Sequence, residues 1–189
     1  EITYGNWLTH GSHAESDTAK ACVRAARDHG ITSFDTADVY GDGRSEQIIG
    51  SYLEENPGLD LFVATKMGRR VEQVPDAYNL EAFRGWTDRS RRNLGVERLD
   101  LVQLHCPPTE VFYQPQVFDA LEDLVAKGRI KSWGVSVEKV EEGLKALAED
   151  VAQQAGPLAR QVQHDQQGRM ETRRQRGKHH TQRFGLGLI

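Results

Sequence analysis

Long hydrophobic runs are absent from this sequence of 189 residues. No stretch approaches the roughly 18 apolar residues that a membrane-spanning helix needs, and no charged, apolar leader indicates secretion. Cysteine is also scarce, since Cys22 and Cys106 are far apart and lack the C-x-x-C spacing of a metal or redox site. We therefore expect a cytoplasmic protein with two free thiols, no disulfide and no metal site.

A dominant charge of one sign is also missing, because the formal net charge at pH 7 is only −4. The distribution is nevertheless uneven. Residues 1–150 hold 17 basic and 26 acidic side chains, whereas residues 151–189 hold 7 and 2. The basic run between Arg173 and Arg183 has no interleaved aromatic residues, so we interpret it as solvated rather than as a nucleic-acid site. Neither a specific nucleic acid nor a membrane is an expected partner.

Apolar stretches of strand length alternate with stretches of helical period through residues 2–149, which predicts a parallel sheet built from five βα units. The predicted strands are residues 2–7, 31–36, 61–66, 99–105 and 130–136, and the predicted helices are residues 16–29, 45–55, 80–94, 116–127 and 138–148. The helical spacing predicts inward faces formed by Ala19, Val23 and Ala26, by Ile48, Ile49 and Leu53, and by Leu80, Phe83, Thr87 and Leu94. We expect residues 1–150 to form this domain. Residues 151–189 are polar and basic with few apolar side chains, and we expect this tail to be disordered or irregular.

Polar side chains end four of the predicted strands. The second strand ends in Asp35, with Tyr40 five residues later, and the next three end in Lys66, His105 and Ser136. In parallel α/β folds the carboxyl ends of the strands meet on one face, where chemistry is concentrated. Each residue alone is more typical of a turn or of a solvated strand end, but the set together predicts a site.

These residue types suit the protonation of an oxygen that gains negative charge. A tyrosine hydroxyl has an ordinary pKa near 10, and a nearby ammonium such as that of Lys66 is expected to lower it toward neutral pH. Asp35 is the expected counter-ion of Lys66, and His105 is expected to orient a carbonyl oxygen beside the hydroxyl of Tyr40. Carbonyl reduction requires such a proton donor when a cofactor delivers hydride to the carbon.

The segments DTADVYG, VATK, DLVQLH and WGVS, in this order and each at a strand end, resemble those of the aldo-keto reductases. The resemblance covers about residues 2–149. It implies a TIM-type (β/α)8 barrel that reduces an aldehyde or ketone with a nicotinamide cofactor, generally NADPH.

The resemblance also implies a role for particular residues. The catalytic tetrad is Tyr40 as general acid with Asp35, Lys66 and His105, the cofactor-binding residues are Asp35 and Ser136, and the substrate-binding residues are Trp7, Tyr40 and His105. The resemblance also implies that Glu46, in the motif RSEQIIG, has a structural role.

The sequence departs from this family after residue 150, where nothing resembles its sixth to eighth strands or its adenosine-phosphate loop. Five βα units do not close an eight-stranded barrel, so we expect an incomplete barrel with a divergent C-terminal tail and an open sheet edge suited to self-association. Either the sequence is a fragment, or the gene has lost its end and the tail is out-of-frame coding. We favour the second interpretation, because a fragment would keep family sequence to its end. The chain alone is therefore expected to show no NADPH quenching and little turnover.

Two other functions are weighed against the reductase. One is a non-catalytic truncated relative that acts as a binding or assembly subunit. The other is a metal-dependent isomerase on the same barrel, which would need carboxylates and histidines at successive strand ends, so Lys66 and Tyr40 argue against it.

Overall fold

The computed structural model describes residues 3–5 and 16–155, and it contains one five-stranded parallel sheet. The strands follow one another in chain order, each paired with the next, as expected for consecutive βα units of a barrel. They are β1 (Thr3–Gly5), β2 (Ser33–Asp35), β3 (Phe62–Met67), β4 (Leu99–His105) and β5 (Ile130–Ser136). Parallel pairing brings the carboxyl ends of all five strands to one edge of the sheet.

A helix follows each strand in the described part of the chain. The helices are α1 (Ser16–Asp28), α2 (Arg44–Glu55), α3 (Leu80–Leu94), α4 (Pro115–Ala126) and α5 (Val140–Ala155). The Asn79 side chain caps α3 by accepting a hydrogen bond from the Ala82 N–H at 3.0 Å, and Gly95, in the left-handed region, ends it. No helix in the described ranges is long and apolar enough to cross a membrane.

The predicted helical faces are largely buried. Ala19, Val23 and Ala26 of α1 are buried, and so are Phe83, Thr87 and Leu94 of α3. Leu53 of α2, expected to point inward, is only half-buried. The apolar periodicity thus identified most of the core that holds the helices against the sheet.

Helices α2 and α3 approach each other closely at Gly50. A Cβ atom at this position would lie 2.4 Å from the backbone oxygen of Asn93 and 2.9 Å from backbone atoms of Leu94. Beside this contact, buried Glu46 accepts hydrogen bonds from Thr65 Oγ1 at 2.6 Å and from Asn93 Nδ2 at 2.8 Å. Glu46 therefore joins α2 to both β3 and α3, which is a structural role.

The end of the domain differs from the prediction. The last helix was expected to end at residue 148, and it continues to Ala155, into the segment expected to be irregular. Alanine and glutamine at residues 152–155 favour a helix, and the Gly156-Pro157 pair that follows disfavours its continuation. The chain divides into two units between Lys145 and Ala146, within this helix. The predicted domain boundary at residue 150 stays a prediction. Residues 156–189 of the predicted tail lie outside the described residues.

Candidate active site

Asp35 and Lys66 form an ion pair at the carboxyl ends of neighbouring strands. Asp35 is the last residue of β2, and Lys66 lies near the end of β3. The Lys66 ammonium donates to the Asp35 carboxylate and, at 2.9 Å, to the backbone oxygen of Thr36. Lys66 is only 7% exposed, so its charge requires such partners. The counter-ion predicted from the sequence is present.

Tyr40 lies over this ion pair. It begins a short 3-10 turn, Tyr40–Gly43, between β2 and α2. The Lys66 ammonium is 5.5 Å from the centroid of the Tyr40 ring, which is within the range of a cation–π contact. The rings of Tyr40 and His105 meet edge to face, with centroids 5.8 Å apart. The structure thus brings together Asp35, Tyr40, Lys66 and His105.

The electrostatics of Tyr40 differ from the prediction. We expected the ammonium of Lys66 to lower the pKa of the Tyr40 hydroxyl, but that pKa is raised. Burial is the main cause, and the negative charge of Asp35 and the thiol of Cys106 add to it, while Arg69 acts in the opposite direction. The ammonium of Lys66, which is paired with Asp35, does not outweigh the effect of burial on the Tyr40 hydroxyl. Tyr40 therefore keeps its proton at neutral pH.

His105 ends β4 and is neutral at physiological pH. Burial lowers the pKa of its imidazole to about 4, and the positive charges of Lys66 and Arg69 contribute to the lowering. The buried Nδ1 of His105 has no hydrogen-bond partner among the described residues. A neutral ring with an unused nitrogen beside Tyr40 suits a polar ligand atom.

Ser136 lies directly beside His105, because the two residues are register partners at the ends of β5 and β4. The Ser136 hydroxyl is 3.4 Å from the sulfur of Cys106, which has the unusual positive φ of 46°. Ser136 therefore belongs to the same rim as the tetrad residues. Trp7, the remaining residue predicted for the site, lies outside the described residues.

Three residues near the site were missed by the sequence reasoning. Arg69 and Arg70 lie two and three residues after the end of β3, and Arg69 Nε donates to the backbone oxygen of His105 at 3.2 Å. Asp38 is fully buried, and neither of its carboxylate oxygens has a hydrogen-bond partner within the described part of the chain. The expectation that functional residues lie at the carboxyl ends of parallel strands indicated this region. It does not distinguish a solvated arginine from one that contacts a neighbouring loop.

Comparison with known proteins agrees with this architecture. The sequence model of the aldo/keto reductase family matches residues 1–181, beyond residue 149, where we had placed the end of the resemblance. A 6-dehydroglucose reductase of Novosphingobium aromaticivorans is 34% identical over 145 residues, covering 71% of this chain and 46% of the relative. A probable voltage-gated potassium channel subunit beta of Oryza sativa subsp. japonica is 29% identical over 143 residues, covering 72% and 42%.

Among solved structures, an aldo/keto reductase from Klebsiella pneumoniae in complex with NADP and acetate matches with a TM-score of 0.64 and 28% identity. The match covers 76% of this chain and 48% of that one. The fold is thus a parallel α/β arrangement that corresponds to part of a TIM-type barrel, with polar side chains at its strand ends. The chain belongs to the aldo/keto reductase family. It spans about half the length of the relatives it matches.

Proposed function

We propose that the protein reduces an aldehyde or ketone to an alcohol with NADPH as cofactor, and that Tyr40 is the proton donor. The observation that carries this proposal is the cluster of Tyr40, His105 and the Lys66–Asp35 ion pair at one rim of the sheet. The named reductase among its relatives and the NADP complex among solved structures support it.

The side chains have separable tasks in this reaction. Tyr40, protonated at neutral pH, donates its proton to the carbonyl oxygen as negative charge develops there. Neutral His105 holds that oxygen by a hydrogen bond from its ring, without placing a second full positive charge beside Lys66. The buried Lys66 ammonium favours the tyrosinate that remains after transfer, while Asp35 holds Lys66 in place.

The rim also fits the nicotinamide end of the cofactor. The unpartnered Nδ1 of His105 lies at the rim, and the Asp35 side chain is 37% exposed beside it. We propose that Ser136 contacts the carboxamide and that Asp35 contributes to cofactor binding. When bound, the cofactor supplies the hydride to the carbonyl carbon. The proposed substrate contact of Trp7 rests on the family resemblance.

Replacing Tyr40 by phenylalanine tests the proposal. We expect Tyr40→Phe to lower the rate of NADPH-dependent carbonyl reduction by about 10²-fold or more, because the ring stays and only the donated proton is lost. The measurement is NADPH oxidation across a panel of aldehydes and ketones. Tyr113→Phe is the matched control, because Tyr113 lies in the 3-10 turn after β4, is exposed and contacts Lys145 rather than the tetrad.

The outcomes separate the alternatives. A rate lost in Tyr40→Phe and kept in Tyr113→Phe supports the tetrad. Equal rates in Tyr40→Phe and the unmodified chain overturn the assignment of Tyr40. A chain that neither quenches NADPH nor turns over any carbonyl substrate is the result that the incomplete barrel predicts, and it would overturn the reductase function for this chain.

The second candidate function is a binding or assembly subunit. The observation that favours it is the name of the rice relative, a potassium channel subunit. Within the described sheet, β5 pairs with β4 alone, so its other edge is the proposed surface for self-association. Analytical ultracentrifugation tests this candidate. It would be supported if the chain associates as its concentration rises, if Tyr40→Phe associates equally well, and if neither protein oxidises NADPH. A monomer at all concentrations would contradict self-association.

A further inference from the structure

The loop that carries Tyr40 has an unusual backbone conformation. Gly41, Asp42 and Gly43 all have positive φ, at 58°, 58° and 92°. Glycine adopts such angles readily, but for Asp42 they cost free energy that the surroundings must offset. A Cβ atom at Gly43 would also lie 2.9 Å from the side chain of Asn93. Contacts from outside the loop therefore hold its shape.

Arg70 supplies two of these contacts. One guanidinium nitrogen of Arg70 donates to the backbone oxygen of Asp38 at 2.9 Å, and another donates to the carboxylate of Asp42. These acceptors lie two residues before and two residues after Tyr40. A planar guanidinium spans both with fixed geometry, whereas an ammonium would reach them only as a point charge.

Arg89 of α3 holds the same loop from another element. Its Nη2 lies 3.2 Å from both the backbone oxygen and the carboxylate of Asp42. The Asp42 side chain is 79% exposed, whereas those of Arg70 and Arg89 are 22% and 32% exposed. Hydrogen bonds from the two arginines hold the pKa of Asp42 below its usual range, so this carboxylate stays ionised. We call Arg70, Arg89 and Asp42 the arginine clamp.

We propose that Arg70 is a positioning residue for Tyr40: through the arginine clamp it fixes the loop that holds the Tyr40 ring against Lys66 and His105. The inference rests on the proposed function, since the position of the Tyr40 hydroxyl matters for proton donation. Arg70 acts through the loop backbone, because it donates hydrogen bonds to Asp38 and Asp42. It is not among the charged groups that shift the Tyr40 pKa, which are Asp35, Cys106 and Arg69. A misplacement of about 1 Å in a proton donor can cost about 10²-fold in rate.

The test uses the NMR signal of Tyr40, which needs neither cofactor nor turnover. The chain has five tyrosines, so ¹³Cζ-tyrosine labelling gives five signals, and Tyr40→Phe identifies that of Tyr40. We expect Arg70→Met and Asp42→Asn each to shift the Tyr40 signal and to change its pH titration, with Arg70→Lys intermediate. Arg84→Met is the matched control, because Arg84 pairs with Asp123 away from this loop.

The kinetic part of the test follows carbonyl reduction. We expect Arg70→Met to lower kcat by about 10-fold with a nearly unchanged KM, and Arg84→Met to leave both unchanged. A Tyr40 signal unmoved in Arg70→Met and Asp42→Asn would overturn the positioning role. An equal shift of the Tyr40 signal in Arg84→Met would also overturn the positioning role, because it would show a general change of the fold rather than a specific change of the loop. If the unmodified chain has no turnover but the Tyr40 signal moves in both clamp variants, the positioning role is supported and the reductase function is overturned.

Discussion

Replacing Asp38 by asparagine should stabilise the protein above neutral pH. Asp38 is fully buried, and burial is the main reason that its pKa rises from 3.8 to about 7. The negative charge of Glu46 adds to this rise, while Arg70, Arg89 and the backbone N–H of Val39 oppose it. The difference between the two pKa values corresponds to at most about 4 kcal/mol of folding free energy. Asparagine has the same shape and no charge to desolvate.

The pH dependence of this effect has a definite sign. Below about pH 4 the Asp38 carboxyl is protonated in both the folded and the unfolded chain, so its ionisation contributes nothing. Between about pH 4 and 7 the folded state retains a proton that the unfolded chain releases, and stability therefore falls as the pH rises. Above about pH 7 the loss is complete. The advantage of Asp38→Asn should grow through this window and then remain constant.

Urea unfolding from pH 4 to pH 9 measures this difference. The comparison between variants is needed because His105 acts in the opposite direction: its pKa is lowered, so its contribution is lost as the pH falls from 6.5 to about 4. Asp123→Asn is the control, since hydrogen bonds from Lys127 and Arg84 lower the pKa of Asp123 below 3.8. The stability difference between that variant and the unmodified chain should therefore stay nearly constant from pH 4 to pH 9, because the contribution of Asp123 changes only at lower pH. An Asp38→Asn difference that stays the same at all pH values would contradict the prediction.

Replacing Gly50 by alanine should destabilise the fold by about 3 kcal/mol. The added methyl group would lie 2.4 Å from the Asn93 backbone oxygen and 2.9 Å from the Leu94 backbone. Backbone atoms cannot rotate away as a side chain does, so α2 and α3 must separate. The gain in helix propensity from glycine to alanine, about 1 kcal/mol, offsets only part of this cost.

Gly85→Ala is the matched control for Gly50→Ala. Gly85 is exposed on α3, and a Cβ atom there meets nothing within 4 Å. We expect this variant to gain about 0.5–1 kcal/mol from propensity alone. Urea unfolding measures the free energy of unfolding of both variants. A similar increase in Gly50→Ala and Gly85→Ala would show that the close approach of α2 and α3 does not limit stability.

Local patterns predicted most of the secondary structure. Strands β4 and β5 have the predicted bounds, because the runs LDLVQLH and IKSWGVS are flanked by glycine or by polar loops. Strand β2 is shorter than predicted, at Ser33–Asp35 rather than residues 31–36. The bounds of β2 depend on its pairing with β3. The Phe62 N–H donates to the backbone oxygen of Thr32, and the Thr36 N–H donates to the backbone oxygen of Ala64, so these contacts lie just outside the three residues of β2.

The sequence also predicted which side chains meet at the strand ends. Parallel pairing in chain order brings Asp35, Lys66, His105 and Ser136 to the same edge of the sheet. The predicted direction of the Tyr40 pKa shift was wrong, because burial of the hydroxyl is the main cause of the rise, and this burial is set by packing rather than by the local sequence. The arginine clamp was missed for a similar reason, since Arg89 lies 47 residues from Asp42 along the chain.

The sequence by itself determined the βα order, most of the buried helical faces and the set of polar residues at one rim. These follow from periodicity and from strand direction, which are local properties of the chain. Only the tertiary structure decided that Asp38 is buried with no hydrogen bond to its carboxylate oxygens from the described residues, that Tyr40 keeps its proton and that two arginines hold its loop. These features depend on desolvation and on distances between residues far apart in sequence, and neither quantity is set by local pattern.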